Sequence, residues 1–190
     1  MQGSGAYLTG RYTTNYVQLH DEAWPSSGGQ RMVKTIDTTF PHDDAFARGR
    51  MKLGLGLVML APGIPAMLMG DEWLEDTDFG ASSTTRIDWS KKATYASQFA
   101  FVKKLAGLRR TTPALYADRL ATVHHLNEAG NVVGFWRNDP FGNPVVVVAN
   151  FSNTSYPSYR VGVTAAGDWS ELLNSQSAIY GGSGPDNPGT

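Results

Sequence analysis

The sequence predicts an α/β unit followed by an all-β segment, and three features carry the prediction. Two short apolar runs, residues 16–19 and 64–69, flank a long helical pattern over residues 43–60. Strand, long helix and strand make a βαβ unit, whose strands are parallel and whose crossover is right-handed. From about Ala117 the pattern changes to short β runs divided by turn residues, the mark of an antiparallel sheet or sandwich in a small separate domain.

Composition sets the bounds. A chain of 190 residues holds one large domain or two small ones, and 41% hydrophobic residues are enough to bury a core. The net charge of −1 gives no field that would draw nucleic acid or an anionic membrane. The lack of cysteine excludes disulfides and thiolate metal sites and leaves the compartment open. No secretory leader pattern is visible, and residues 1–5 read as a tag remnant or an internal start. Residues 53–69 are uncharged, but Pro62, Gly63 and Pro65 break the run, so it reads as a helix end, a turn and a buried strand rather than a membrane span.

In the first run, Tyr16, Val17 and Leu19 supply the bulk of a buried strand of about five or six residues. It ends on His20-Asp21-Glu22. The carboxyl ends of parallel strands are where ligands bind in α/β folds, so this cluster is a candidate site. The competing reading gives Asp21 an ordinary turn role. Residues 23–42 then form a long connection containing Trp24-Pro25-Ser26-Ser27-Gly28-Gly29. Loops of that length are functional or disordered. A tryptophan beside a carboxylate suits a sugar face, or else Trp24 pins the loop to the body.

Asp43 and Asp44 mark the start of the long helix. Gly49, Gly54 and Gly56 weaken it, so close packing against a sheet should compensate. Pro62-Gly63 ends it. The second strand, residues 64–69, runs into Gly70-Asp71-Glu72-Trp73. That puts Asp71 and Glu72 on the same rim as Asp21. Two acids on one rim point to glycosidic or acid/base chemistry; the alternative is a structural role on loop amides or a nearby arginine.

Residues 75–89 read as an irregular stretch. Asp76, Asp78 and Asp88 offer oxygens for calcium, but their spacing does not match the twelve-residue calcium loop, so the stretch reads as a solvated loop and no cofactor is expected. Residues 95–110 have a helical repeat with Phe99, Val102, Leu105, Ala106 and Leu108 on one face. Lys103, Lys104, Arg109 and Arg110 crowd its end, as befits a helix C-terminus. Thr111-Thr112-Pro113 stops it. Four β runs follow: residues 121–126, 132–137, 145–151 and 159–163. His124 and His125 are adjacent on a strand and cannot chelate one metal together. Residues 180–185 read as loop. No phosphate-binding loop or nucleophile elbow is present.

Six segments together resemble a known family. They are Val17-Gln18-Leu19-His20-Asp21-Glu22, Gly63 to Glu72, Arg86-Ile87-Asp88-Trp89, Leu108-Arg109-Arg110 with Pro113-Ala114-Leu115, Val147 to Ser152, and Tyr180-Gly181-Gly182-Ser183-Gly184. In this order they resemble the last third of the α-amylase superfamily, glycoside hydrolase family thirteen, and within it the 1,4-α-glucan branching enzymes.

The resemblance implies that residues 1–116 are strands seven and eight, with their helices, of a (β/α)8 barrel, and that residues 117–190 are a truncated β-sandwich. It implies retaining chemistry on an α-glucan such as glycogen, starch or a maltooligosaccharide, with no nucleic-acid or membrane partner. Asp21 matches the carboxylate that stabilises the distorted sugar, and His20 the neighbouring histidine on that sugar. Glu22 and Trp24 are expected to bind substrate, and Asp71 and Glu72 to shape the site. Leu19 departs from the usual Ser or Asn. The nucleophile and acid/base lie on earlier strands, so the chain reads as a fragment, inactive and marginally stable or oligomeric alone. For a branching enzyme a cytoplasmic location is favoured. The alternatives are an amylase-type hydrolase, or a carbohydrate-binding piece using Trp24, Trp73 and the sandwich aromatics.

Overall fold

The structure, a computed structural model, describes residues 10–80 and 85–184. The expectations placed on residues 1–5 and on Pro185 lie outside the described residues. Strand β1 (Thr14–Asn15) pairs in parallel with β2 (Ile64–Pro65), in the register Thr14 to Ile64 and Asn15 to Pro65. The parallel pairing agrees with the sequence, but both strands are far shorter than expected. Pro65 has no amide to give to a ladder. Past Asn15 the other chain turns away: the Leu19 amide is taken by the Glu22 carboxylate at 2.8 Å, and the Gln18 side chain is buried among loops.

Between these strands lie α1 (Met32–Ile36) and α2 (Ala45–Leu60). Residues 23–42 are therefore not one structureless loop. A 3-10 turn at Pro25–Ser27 and α1 interrupt them. Helix α2 begins where the acids stand, with Asp44 accepting the Ala47 amide at 2.6 Å as its N-cap. Ala47, Met51, Leu55 and Met59 recur every four residues and form its buried stripe. Of its three glycines only Gly54 is there for close approach. A Cβ at that position would come within 2.8 Å of Val17, whereas Gly49 and Gly56 have nothing within 4 Å.

Helix α3 (Lys91–Thr94) leads into α4 (Ala96–Thr111), and α5 (Pro113–Tyr116) starts on the proline that stops it. The buried face of α4 is Gln98, Phe101, Val102 and Leu105. Val102 and Leu105 are buried as expected and Phe99 packs half-buried on the core, while Phe101 joins the face and Ala106 is exposed. The Tyr180 ring packs on Phe101 at 5.6 Å. Residues 178–180 form a 3-10 turn that docks on the helices rather than a free loop. Lys52, buried on α2, donates to the carbonyls of Ser175 at 2.8 Å and Tyr180 at 3.1 Å. The main core joins α2 and α4 to Val33, Trp73, Leu74, Tyr95 and Tyr180.

An antiparallel sheet follows, in the order β3 (Thr122–Asn127), β4 (Val132–Asn138), β5 (Pro144–Asn150), with a bulge between Val123 and His125. Three of the four expected runs are strands, and the fourth, residues 159–163, is not. It lies against β3 through side chains instead: Tyr159 Oη meets His125 Nε2 at 2.7 Å and Asn127 Nδ2 at 2.9 Å, and His124 Nε2 meets the Gly162 carbonyl at 2.8 Å. Among the described residues no second sheet covers this one. Its Phe135 and Val147 pack with Ala121 against Leu57 and Leu60 of α2, forming a second, smaller core.

Two arginines fasten that junction. Arg109 donates to the carbonyls of Met59 at 3.0 Å and Ala61 at 2.7 Å, and also to that of Gly63. Arg137 donates to Leu60 at 3.2 Å, Ala61 at 3.1 Å and Ala117 at 2.8 Å. A helix leaves its last carbonyls without partners, and these guanidinium groups supply them. Burial, with Arg109 nearby, brings the Arg137 guanidinium down to about 10. The basic cluster at the end of α4 is thus more than dipole complement: Arg109 is turned onto the end of a different helix.

Candidate functional site

The chain leaves β1 and makes a turn held by its own groups. Glu22 Oε2 accepts the Leu19 amide at 2.8 Å, and the Ala23 amide reaches the Leu19 carbonyl at 3.3 Å. This turn projects His20 and Asp21 into solvent. Their side chains are 56% and 82% exposed, and His20 Nε2 stands 3.2 Å from Asp21 Oδ1. Such a couple can present a carboxylate and an imidazole together to sugar hydroxyls, because both are largely exposed.

The following loop folds back beneath the turn. A Cβ at Gly29 would lie 2.1 Å from the Glu22 carbonyl, so only glycine lets the two segments touch. Trp24 is half-buried and starts the Pro25–Ser27 turn. Phe79 joins this group from the next loop. Its amide donates to the Ala23 carbonyl at 2.9 Å, and its ring lies 5.5 Å from Trp24 and 5.7 Å from His20. Trp24 therefore does pin the loop, as one sequence reading had it, while remaining beside the exposed couple.

Phe79 is also a wall of an open cleft of about 450 Å³, lined with it by Arg31, Leu68, Met69, Arg86 and Trp89. Trp89 is 60% exposed and leans on the buried Trp73 at 5.1 Å. The ring available to a ligand is thus Trp89. Trp73, which the carbohydrate-binding alternative used, is 2% exposed and belongs to the core.

Asp71 follows the same end of the parallel pair as Asp21 but is turned inward. Its side chain is fully buried, where Oδ1 accepts from Gln18 Nε2 and stands 3.5 Å from Arg31. Burial pushes this carboxyl up to about 7; Gln18 and Arg31 oppose the rise, and Glu72 adds to it. Gln18 and Arg31, with which Asp71 stands, are buried as well. Glu72 is half-buried and holds the Gly70 amide at 2.8 Å. Glu72 thus bonds a loop amide and Asp71 lies against an arginine, the two halves of the structural alternative.

Sequence reasoning missed three buried organisers. Gln18 joins Asp71 on one side and accepts the Met32 amide at 2.7 Å on the other. Arg31 donates to the carbonyls of Thr77 at 2.9 Å and Met69 at 3.0 Å. Glu75 is 1% exposed and receives the amides of Thr77 at 2.8 Å and Asp88 at 2.7 Å, giving the irregular stretch after Trp73 its shape. The one available signal was Gln18 inside an otherwise apolar run. Asp76 pairs with Lys91 and Asp78 with Lys34, and among the described residues no group of three acids or histidines could hold a metal ion. No helix among them is long and apolar enough to cross a membrane.

Comparison with known proteins adds three findings. Residues 123–190 match the family described as the alpha amylase C-terminal all-beta domain. Curated relatives include 1,4-alpha-glucan branching enzymes of Leifsonia xyli (31% identical, covering 78% of this chain and 21% of that protein), Nocardia farcinica (30%, 94% and 24%) and Xanthomonas campestris (32%, 90% and 23%). The chain therefore spans about a fifth to a quarter of the length of these relatives. Among solved structures it resembles a pullulanase from an Anoxybacillus species complexed with maltotetraose (TM-score 0.59, 20% identity, 77% of this chain and 22% of that one). It also resembles a type I pullulanase of Bacillus subtilis complexed with maltose (TM-score 0.60, 18% identity, 75% and 21%). At these identities the two structures speak for the fold alone.

Proposed function

We infer that this chain is the C-terminal portion of an α-amylase-superfamily enzyme, a 1,4-α-glucan branching enzyme that cuts an α-1,4 bond and transfers the chain to a sugar 6-hydroxyl. Residues 1–116 are the last two strands and attendant helices of a (β/α)8 barrel, and residues 117–190 its C-terminal β domain. The matched all-beta family and the relatives above 30% identity support the family, and the parallel β1–β2 pair supports the barrel assignment.

The single observation that carries the site is the exposed His20–Asp21 couple at the end of β1. In a retaining mechanism one carboxylate attacks the anomeric carbon, one acid protonates the leaving oxygen, and the sugar is distorted towards an oxocarbenium ion. Asp21 is the third carboxylate, accepting hydrogen bonds from the hydroxyls of that distorted ring. Its contribution grows as the ring flattens, which is what lowers a barrier rather than merely tightening binding. His20 bonds the same sugar. Trp24 and Phe79 offer rings beside it, and Glu22, which fixes the turn through Oε2, offers Oε1 to the substrate. Asp71 and Glu72 act from behind, holding the loops that shape the site. The nucleophile and the acid/base come from residues outside this chain, and no cofactor takes part.

The test uses the longer protein that carries this chain, incubated with amylose. A shift of the iodine stain without new reducing ends supports branching; reducing-end release makes it a hydrolase. The chain alone is expected to give neither, and new branches made by it would refute the division of roles proposed here.

A further inference from the structure

We propose that Gln18 and Asp71 form a buried linkage that sets the position of the His20–Asp21 turn, making Asp71 a positioning residue for the glucan site. The role rests on the glucan-site reading above; the linkage itself rests on geometry.

Gln18 lies two residues before His20, and both ends of its amide are engaged. Nε2 donates to Asp71 Oδ1, and Oε1 accepts the Met32 amide at 2.7 Å. Rotating this side chain would strand buried polar groups at both ends, so its place is fixed by Asp71 and α1 together. Asp71 is less well served. Among the described residues its buried Oδ2 has no hydrogen-bond partner, and Oδ1 has Gln18 and the more distant Arg31. The charged groups acting on it are Arg31, from the segment before α1, and Glu72 beside it. That environment suits a neutral acid, and the carboxyl, held near 7, exchanges its proton with solvent around neutrality.

Loss of the proton leaves a buried carboxylate that needs stronger donors. Arg31 cannot swing towards it freely. Its amide is held by Asp78 at 3.0 Å, its Nε by Thr77 and its NH1 by Met69. Gln18 cannot rotate away without stranding its partners, so the adjustment is a shift of the short segment that carries both it and the turn. Protonation of Asp71 thus moves the residues that bear Asp21 without touching the sugar itself.

The test is a titration, from about pH 6 to 8.5, of the Gln18 side-chain amide and the Leu19 backbone amide by NMR in the whole chain. It is run beside Asp71→Asn, which keeps an acceptor for Gln18 and cannot ionise. The wild type should show a step near neutral pH that the variant lacks, and its affinity for maltoheptaose should change at least about threefold across that step while the variant stays flat. Identical titration curves in the two proteins would overturn the linkage. A step in the amides with equal, pH-independent maltoheptaose affinity would overturn the positioning role. Failure of both proteins to bind maltoheptaose at any pH would count against the glucan-site reading and the positioning role, while the amide titration would still decide the linkage.

Discussion

Arg109 and Arg137 meet on one backbone carbonyl, that of Ala61, at 2.7 and 3.1 Å. One guanidinium comes from α4 and the other from β4, so the end of α2 is the point where the helices and the sheet are joined. Among the described residues neither donates to a carboxylate; the partners of each are backbone carbonyls.

This junction predicts a large cost for Arg137→Lys. A lysine keeps the charge but cannot reach Leu60, Ala61 and Ala117 with one planar fork. Buried carbonyls left without donors should lower stability by about 2–4 kcal/mol. Urea unfolding at constant m-value measures it, and a loss below about 0.5 kcal/mol would show that the fork is not what holds the junction.

Asp71 predicts a pH dependence with a definite sign. Its carboxyl lies at about 7 in the fold against an ordinary value of 3.8, so the native state holds more protons between those values. The stability this gives is fully present below about pH 4 and is lost as pH rises through 7. Asp71→Asn should therefore match the wild type near pH 4 and exceed it at pH 8, by at most about 4 kcal/mol. Denaturant midpoints at the two pH values measure the difference; a variant weaker at pH 8 would mean that the buried carboxylate is well paired.

The helix glycines predict opposite outcomes at neighbouring sites. Gly54→Val would drive a side chain into Val17, which a Cβ already meets at 2.8 Å, and should cost about 1–3 kcal/mol. Gly49→Ala has open space around it and should gain about 0.5–1 kcal/mol from helix propensity. Thermal melts of the two variants should move in opposite directions. A common direction would mean that the helix does not pack on the strand as described.

The cleft predicts which rings contact glucan. Trp89→Ala should weaken maltoheptaose binding about five- to tenfold, the loss expected of one stacking surface worth about 1–1.4 kcal/mol. Phe79→Ala should weaken it similarly, because Phe79 both lines the cleft and supports Trp24 and His20. Calorimetric titration reads both, and unchanged affinity in Trp89→Ala would remove the cleft from the binding surface.

The sequence made the large features legible, and physics explains the rest. Helix α2, its acidic cap, the parallel strand pair and three of four β runs follow from periodicity and turn residues. Strand lengths did not, because they depend on pairing partners: among the described residues β1 has β2 alone beside it, and Pro65 withholds a donor. On α4 the periodicity gave Val102 and Leu105 but not Phe101, whose partner Tyr180 lies some eighty residues away. At the site, His20 and Asp21 stood out as charge at the end of a strand. Asp71 read as their equal until Gln18 and Arg31, polar residues at unremarkable positions, drew it inside. Buried networks of that kind join segments far apart in the chain and leave no local pattern.

The most direct test of the central claim is the branching rate of the longer protein carrying Asp21→Asn, measured on amylose with the fold checked by its melting temperature. Asp21 is exposed and donates nothing to packing, so the melting temperature should hold while the rate falls by about a thousandfold or more. A variant that keeps a rate within about threefold of the wild type would contradict the account.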